Sequence, residues 1–141
     1  MRSGLFVLAT LLMAGLGTNG CGVPVFAQDL GVTPDQVKWL ATRNLGLAAN
    51  LDGDPSRPGP YVVRLKVVPD NVTMPHTHPN AEDVTVISGS IGFGLGTVFD
   101  KSKGRVLPAG SFLHLPANTP HFAWTGTEGA VIQSHGIGPF P

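Results

Sequence analysis

Three of the five histidines in this 141-residue chain fall in two short segments. The first is His76-Thr77-His78. In an extended strand, side chains at i and i+2 share a face, so the two imidazoles project together and can converge on one ion. Pro79-Asn80-Ala81 then reverses the chain. Glu82 opens the next strand beside His78, and its carboxylate can close on the same ion. The second segment runs from Gly110 through Pro116-Ala117-Asn118-Thr119-Pro120 to His121, a tight turn that ends at a fourth candidate ligand. Three imidazoles and one carboxylate suit a divalent transition metal (Zn, Cu, Ni, Mn or Fe), because borderline nitrogen donors are joined by one anionic oxygen. Magnesium and calcium favour all-oxygen shells. Each part alone is weak: an HxH pair can be a plain hydrogen-bonded pair, and a single glutamate is most often solvated. The joint spacing is rarer than its parts.

Composition limits what can hold these residues. Nineteen glycines and thirteen prolines punctuate a chain that is 42% apolar. Neither residue suits a helix interior, so many short strands joined by turns are expected. The glycines follow no triplet period, which excludes collagen. Charged residues are 13% of the chain, about half the ~25% usual for soluble domains. Nine Lys plus Arg balance nine Asp plus Glu, so no basic surface is on offer to nucleic acid. The single cysteine excludes a disulfide within the chain.

The order of elements can be read along the sequence. Residues 28–40 can make one or two helical turns, with Thr33 as cap and Pro34 at the first helical position; Val37, Trp39 and Leu40 would be the apolar contacts. A weak strand is expected over 45–51 and a loop over 52–60. The clearest strand is 61–68, where Val63, Leu65 and Val67 alternate with Arg64 and Lys66. Residues 73–78 should be extended, since Pro75 and Pro79 disfavour helix at the residues before them. Strands over 82–87 and 91–99 flank Ser88-Gly89-Ser90, which reads as a hairpin turn. Gly92, Gly94 and Gly96 alternate with larger residues, leaving room for something bulky against the backbone. Residues 100–105 read as a solvated tip, with an anion site as the alternative. Strands over 111–115, 121–125 and 130–135 follow. About eight short strands with no internal repeat imply one antiparallel sandwich or barrel.

Strand parity adds detail. If Glu82 faces the ion, Val84 and Val86 share its face; if His121 faces in, so do Ala123 and Thr125. The pocket would be lined by small apolar groups, with Thr125 one of the few polar ones. Phe93, Phe112 and Phe122 either narrow its mouth or simply fill core. His114 and His135 are either structural histidines or hydrogen-bond partners and proton carriers for the site. Asn71-Val72-Thr73 matches a glycosylation acceptor and is read as chance, because the leader looks bacterial.

Met1-Arg2-Ser3 carries one positive side chain, and residues 4–16 form an apolar run shorter than the ~20 a bilayer span needs. Val25-Phe26-Ala27 fits signal-peptidase cleavage after Ala27. The expected organisation is a signal peptide over 1–27, an N-terminal extension over 28–44 and a barrel domain over 45–141. The location would be periplasmic or secreted, without a stable membrane span after cleavage. The alternatives are a buried N-terminal helix and a lipoprotein modified at Cys21, although Thr18-Asn19 resemble a lipidation box poorly.

The joint pattern of ligands and turns resembles the cupin family. Its first motif, G-x5-H-x-H-x3-E-x6-G, is matched by His76, His78, Glu82 and Gly89, with Asp70 in place of the leading glycine. Its second, G-x5-P-x-G-x2-H-x3-N, is matched by Gly110, Pro116 and His121. Asn118 replaces the glycine and Thr125 the final asparagine. Asparagine tolerates left-handed backbone, and Asp70-Asn71 can still make a turn. The motifs span residues 70–125, and flanking strands extend the likeness over about 45–135. Residues 107–110, 120–125 and 135–140 are similar to small exported cupins of unassigned activity. The resemblance implies an all-β, single-domain antiparallel jelly-roll barrel with a metal held inside by His76, His78, Glu82 and His121. Cupins often dimerise, so a homodimer is one expected assembly.

Four protein ligands leave open positions on a five- or six-coordinate ion for water or a small-molecule ligand. The leading expectation is a small extracytoplasmic metalloenzyme, an oxygenase, isomerase or hydrolase of a small oxygen-bearing molecule. The alternatives are a metal- or ligand-binding sensor without turnover, and a barrel whose metal only pins strands together. No base, nucleophile or substrate clamp is legible. No arginine lies inside either motif to grip a carboxylate.

Overall fold

Two long strands organise the molecule. In the computed structural model, which describes residues 31–140, β5 (Glu82–Leu95) and β8 (His121–Gly138) run antiparallel over nearly their whole length. The shorter strands are β1 (Leu40–Ala41), β2 (Gly46–Asp52), β3 (Gly59–Val67), β4 (Val72–His76), β6 (Arg105–Pro108) and β7 (Phe112–Leu115). The expected signal peptide over 1–27, and Cys21 with it, lie outside the described residues.

The two long strands bend together, which folds one sheet into two facing walls. Gly89 and Gly129 both take left-handed φ, 69° and 64°. A Cβ on Gly89 would collide with the Gly129 carbonyl, so glycine is required where the strands cross the bend. On one side of the bend the order is β1, β2, β3, the second half of β8, the first half of β5, and β7. On the other it is β4, the first half of β8, the second half of β5, and β6. Val84, Val86, Leu115 and Ile132 from the first wall meet Ile91, Phe93 and Leu107 from the second in one core. This is the antiparallel jelly-roll barrel expected from the sequence.

Several expectations need correction. Ser88-Gly89-Ser90 is not a hairpin turn but a bulge inside β5, marked by register shifts against β8 at 86–88 and 89–91. A glycine with positive φ serves either device; here both flanks have partners on each side, so the strand continues. The strands expected over 121–125 and 130–135 are likewise one continuous strand, β8, whose pairing with β5 skips 126–129. The strand expected over 91–99 stops at Leu95. Among the described residues the helical reading of 28–40 reduces to one turn, in which the Gln36 amide donates to the Thr33 carbonyl. Leu40 is not an apolar contact: it is 73% exposed and starts the sheet as part of β1. β6 was not expected, because only Leu107 of its four residues is buried and no alternation shows. Gly92 and Gly94 do admit something bulky. The Trp124 and Phe122 rings of β8 lie on them.

Candidate metal centre

Strand parity and one turn assemble the site. His76 ends β4 and His78 follows in extended backbone, both half-buried, while Thr77 between them is exposed. His121 opens β8 directly opposite His76 in the β4–β8 register. The turn before His121 depends on Asn118, which takes φ 58° and donates its amide to the His78 carbonyl at 2.7 Å. The second motif is thereby fastened to the first. Asp70 takes φ 53°. The two positions where glycine of the family pattern is replaced therefore both keep left-handed backbone, which Asp and Asn tolerate best among side-chain-bearing residues. Thr125 ties the first turn to β8: its hydroxyl accepts from the Asn71 amide at 2.9 Å and donates to the Val68 carbonyl at 2.7 Å.

The three imidazoles converge. Their ring centroids are 4.3 to 5.1 Å apart, and one ring nitrogen from each lies within 4.8 Å of the others. His76 Nδ1 stands 2.8 Å from the Met74 carbonyl and His121 Nδ1 stands 2.9 Å from the Thr119 carbonyl. A carbonyl only accepts, so both Nδ1 atoms carry the proton and both Nε2 atoms present a lone pair. His78 Nε2 lies 3.1 Å from His76 Nε2. His78 Nδ1 is buried with no hydrogen-bond partner, so a change of His78 tautomer, which frees its Nε2, gives up only the contact with His76 Nε2. Burial, with His76 and His121 beside it, pushes the His78 imidazole down to about 4. Burial also lowers His121, against the opposing effect of the Thr119 carbonyl. These two rings are thus held neutral at pH 7, the form that ligates a metal. The donor set and its tautomers fit a divalent transition metal.

Glu82 sits beside this cluster rather than within it. Its Oε2 is 3.6 Å from His78 Nε2, and a neutral His78 makes that a contact of dipole and charge, not an ion pair. Burial pushes the Glu82 carboxyl up, and the Ser134 hydroxyl, donating to Oε1 at 2.5 Å, opposes the rise. The Tyr61 hydroxyl, buried and without a partner of its own, belongs to the same region and is raised by burial.

A cavity of about 310 Å³ extends from the histidines into the barrel. Val84, Val86, Ala123 and Thr125 line it, as parity predicts, and so does Phe93, which stacks on His121 at 5.6 Å. Thr125 contributes no free polar group, since its hydroxyl is spent on backbone. Phe112 is 58% exposed on the outside of β7. Phe122 is fully buried, but on the outer face of β8 with Phe99 and Trp124. Neither narrows the mouth. His114 and His135 are exposed and lie outside the barrel; His114 Nδ1 pairs with Asp83 at 2.6 Å.

Two residues at the site were missed from sequence. Ser134 shares parity with Ala130 and Ile132, and a serine on an apolar face must find a partner; that signal was available. Phe140 stacks on His78 at 4.1 Å and 29°. It follows the last strand, where no periodicity points to it.

No protein-family model matches the chain. Among curated proteins it is similar to germin-like protein 2-2 of Oryza sativa subsp. japonica, with 30% identity over 133 residues, covering 92% of this chain and 51% of that protein. The chain spans about half the length of the curated relatives it matches. Among solved structures it is similar to the polyketide cyclase RemF from Streptomyces resistomycificus, with a TM-score of 0.64 and 22% identity, covering 79% of this chain and 80% of that one. It is also similar to an RmlC-like cupin from Shewanella frigidimarina NCIMB 400, with a TM-score of 0.63 and 15% identity, covering 78% and 91%. Among the described residues no helix is long and apolar enough to cross a membrane.

Proposed function

We propose that this chain, which belongs to the cupin superfamily, is an exported metalloprotein holding one divalent transition-metal ion on His76, His78, Glu82 and His121. Its activity is that of a small metalloenzyme, of oxygenase, isomerase or hydrolase type, on a small oxygen-bearing molecule. The observation that carries this reading is the meeting of three imidazole nitrogens within 4.8 Å, with two of the rings locked by backbone carbonyls as Nε2 donors. When bound, such an ion supplies Lewis acidity or, if redox-active, activation of dioxygen. The protein's own part is to hold His78 and His121 neutral by burial, to keep Glu82 oriented through Ser134, and to keep bulk water from the apolar walls.

Binding without turnover is the second reading. Its support is the cavity lining, where Asn71, Thr73 and Thr125 are engaged with the protein and offer no evident acid, base or nucleophile beyond the candidate ligands.

The deciding experiment is elemental analysis of untagged protein, followed by oxygen-uptake and product screens against small phenols, diketones and sugars. One equivalent of metal, with substrate loss that needs both metal and Glu82, supports the enzyme. Ligand affinity without product supports the second reading. Loss of Tm on chelation, with neither activity nor affinity, leaves the metal a strand pin. Folding outside the cytosol exposes the site to ions high in the Irving–Williams order, so the metal as isolated should be zinc, copper or nickel. Predominant manganese or iron would count against export before metal loading. A leader cleaved after Ala27 predicts a mature protein that begins at Gln28, which N-terminal sequencing reads directly.

A further inference from the structure

The cavity behind the histidines is chemically one-sided. Its walls are apolar, built largely from Leu65, Val84, Val86, Ile91, Leu115 and Ile132, with the Phe93 ring beside His121. Neither lysine nor arginine is among its described lining residues. Most polar groups away from the histidines are engaged by the protein. Thr125 is bonded to Val68 and Asn71, the Asn71 side-chain amide donates to the Asn44 carbonyl at 2.6 Å, and the Thr73 hydroxyl faces Asn71 Oδ1 at 3.4 Å. Glu82 adds an acidic group at the histidine end. The space equals roughly ten water volumes at about 30 Å³ each, at the small end of the range for ligand pockets.

A carboxylate reaching the histidines could face a metal there. A second carboxylate on the same small molecule would lie against hydrocarbon, with no cation among the described lining residues to replace its water. A hydrocarbon ring in that position gains what the charge loses. We infer that the ligand of this cavity is an uncharged, largely apolar ring of about ten non-hydrogen atoms that points one phenolic, enolic or keto oxygen at His76, His78 and His121, and that molecules carrying a second charge remote from that oxygen are excluded. The oxygen's partner rests on the metal reading above; the hydrocarbon walls do not depend on it.

The test is calorimetric titration of the purified chain, stripped by chelation and zinc-loaded, with 2-naphthol and with terephthalate, whose two carboxylates cannot reach one ion. 2-Naphthol should bind both forms, more tightly with zinc. Terephthalate should bind the zinc form roughly 100-fold more weakly than 2-naphthol. Ala123→Leu, which fills space in the cavity, should weaken 2-naphthol binding roughly tenfold while zinc stoichiometry is unchanged; Ala123→Val gives the smaller step if the larger side chain unfolds the barrel. Terephthalate binding as tight as 2-naphthol, or 2-naphthol binding indifferent to both Ala123 variants, overturns the inference. The two readings fail separately. Zinc bound at the histidines without 2-naphthol binding removes the cavity assignment and leaves the metal site. Binding of 2-naphthol without zinc binding supports the cavity assignment and removes the metal site.

Discussion

Glu82 and Asp83 are neighbours on β5, and each meets imidazoles from adjoining segments, yet the two clusters differ in every property that matters for a metal. Glu82 points inward, beside His78, and is 9% exposed. Asp83 points outward, opposite His114 on β7 and His135 on β8 in the strand registers. Inside, three ring nitrogens lie within 4.8 Å of each other, and backbone carbonyls fix two of the tautomers. Outside, one imidazole pairs with Asp83 at 2.6 Å, the His114 side chain is 57% exposed, and among the described residues no group of three ligand atoms converges there. Residue type therefore does not make the site. Convergence makes it, together with burial that costs the protonated ring its hydration and leaves a neutral donor.

The largest expected effect separates the clusters by removing one imidazole from each. His121→Ala should abolish stoichiometric metal binding, by more than the roughly 100-fold that loss of a supporting hydrogen bond costs. The barrel should stay folded, because the preceding turn keeps its Asn118 amide bond to the His78 carbonyl when the imidazole's bond to the Thr119 carbonyl is lost. His114→Ala should leave stoichiometry at the wild-type value. Elemental analysis beside far-UV circular dichroism reads both. Equal occupancy in the two variants would erase the distinction between inner and outer histidines.

Next in size is the pair of carboxylates. Glu82→Gln keeps the shape and a hydrogen-bonding oxygen for Ser134 but removes the charge, and should weaken metal binding about 10- to 100-fold. Asp83→Asn should not change it. A chelator competition titration measures each. If Asp83→Asn weakened binding as much as Glu82→Gln, the charge would be acting through the general field of the barrel and not as a donor. Ser134→Ala should give a smaller loss, about tenfold, since it frees Glu82 Oε1 from its one protein donor without touching a donor atom.

How much of this contrast was legible in the sequence depends on what strand parity can reach. His76, His78, Glu82 and His121 stand out by spacing, and parity alone separates Glu82 from Asp83. Parity from an inward His121 also puts Phe122 outside, which its place against Phe99 and Trp124 matches. An antiparallel sandwich or barrel followed from glycine and proline content and from the alternation in β3; the choice of the jelly-roll barrel rested on the resemblance to cupins. What parity could not reach was long-range. Ser88-Gly89-Ser90 carries the signal of a turn, and only the partners on both flanks make it a bulge. Phe140 reaches His78 from the far end of the chain, and nothing local marks it. Asp70 and Asn118 look like defects in the family pattern until their φ values show that the backbone there is left-handed all the same.

The smallest expected effect lies on the outer cluster and concerns stability. The His114–Asp83 pair is short, at 2.6 Å, but its side chains are 57% and 31% exposed. Water competes for both groups, salt screens them, and holding the pair together costs side-chain freedom. Exposed pairs of this kind contribute about 0–1 kcal/mol. His114→Ala should therefore lower the unfolding free energy by less than about 1 kcal/mol, and the ionic part of that loss should vanish at 1 M salt, where the screening length is about 3 Å. Urea unfolding at low and high ionic strength checks it, with Asp83→Asn and the double variant completing a cycle that isolates the pair. A coupling well above 1 kcal/mol that survives 1 M salt would mean that the outer pair is shielded from solvent, as a second copy of the chain laid over β7 would shield it. The outer cluster would then have to be counted with the buried one.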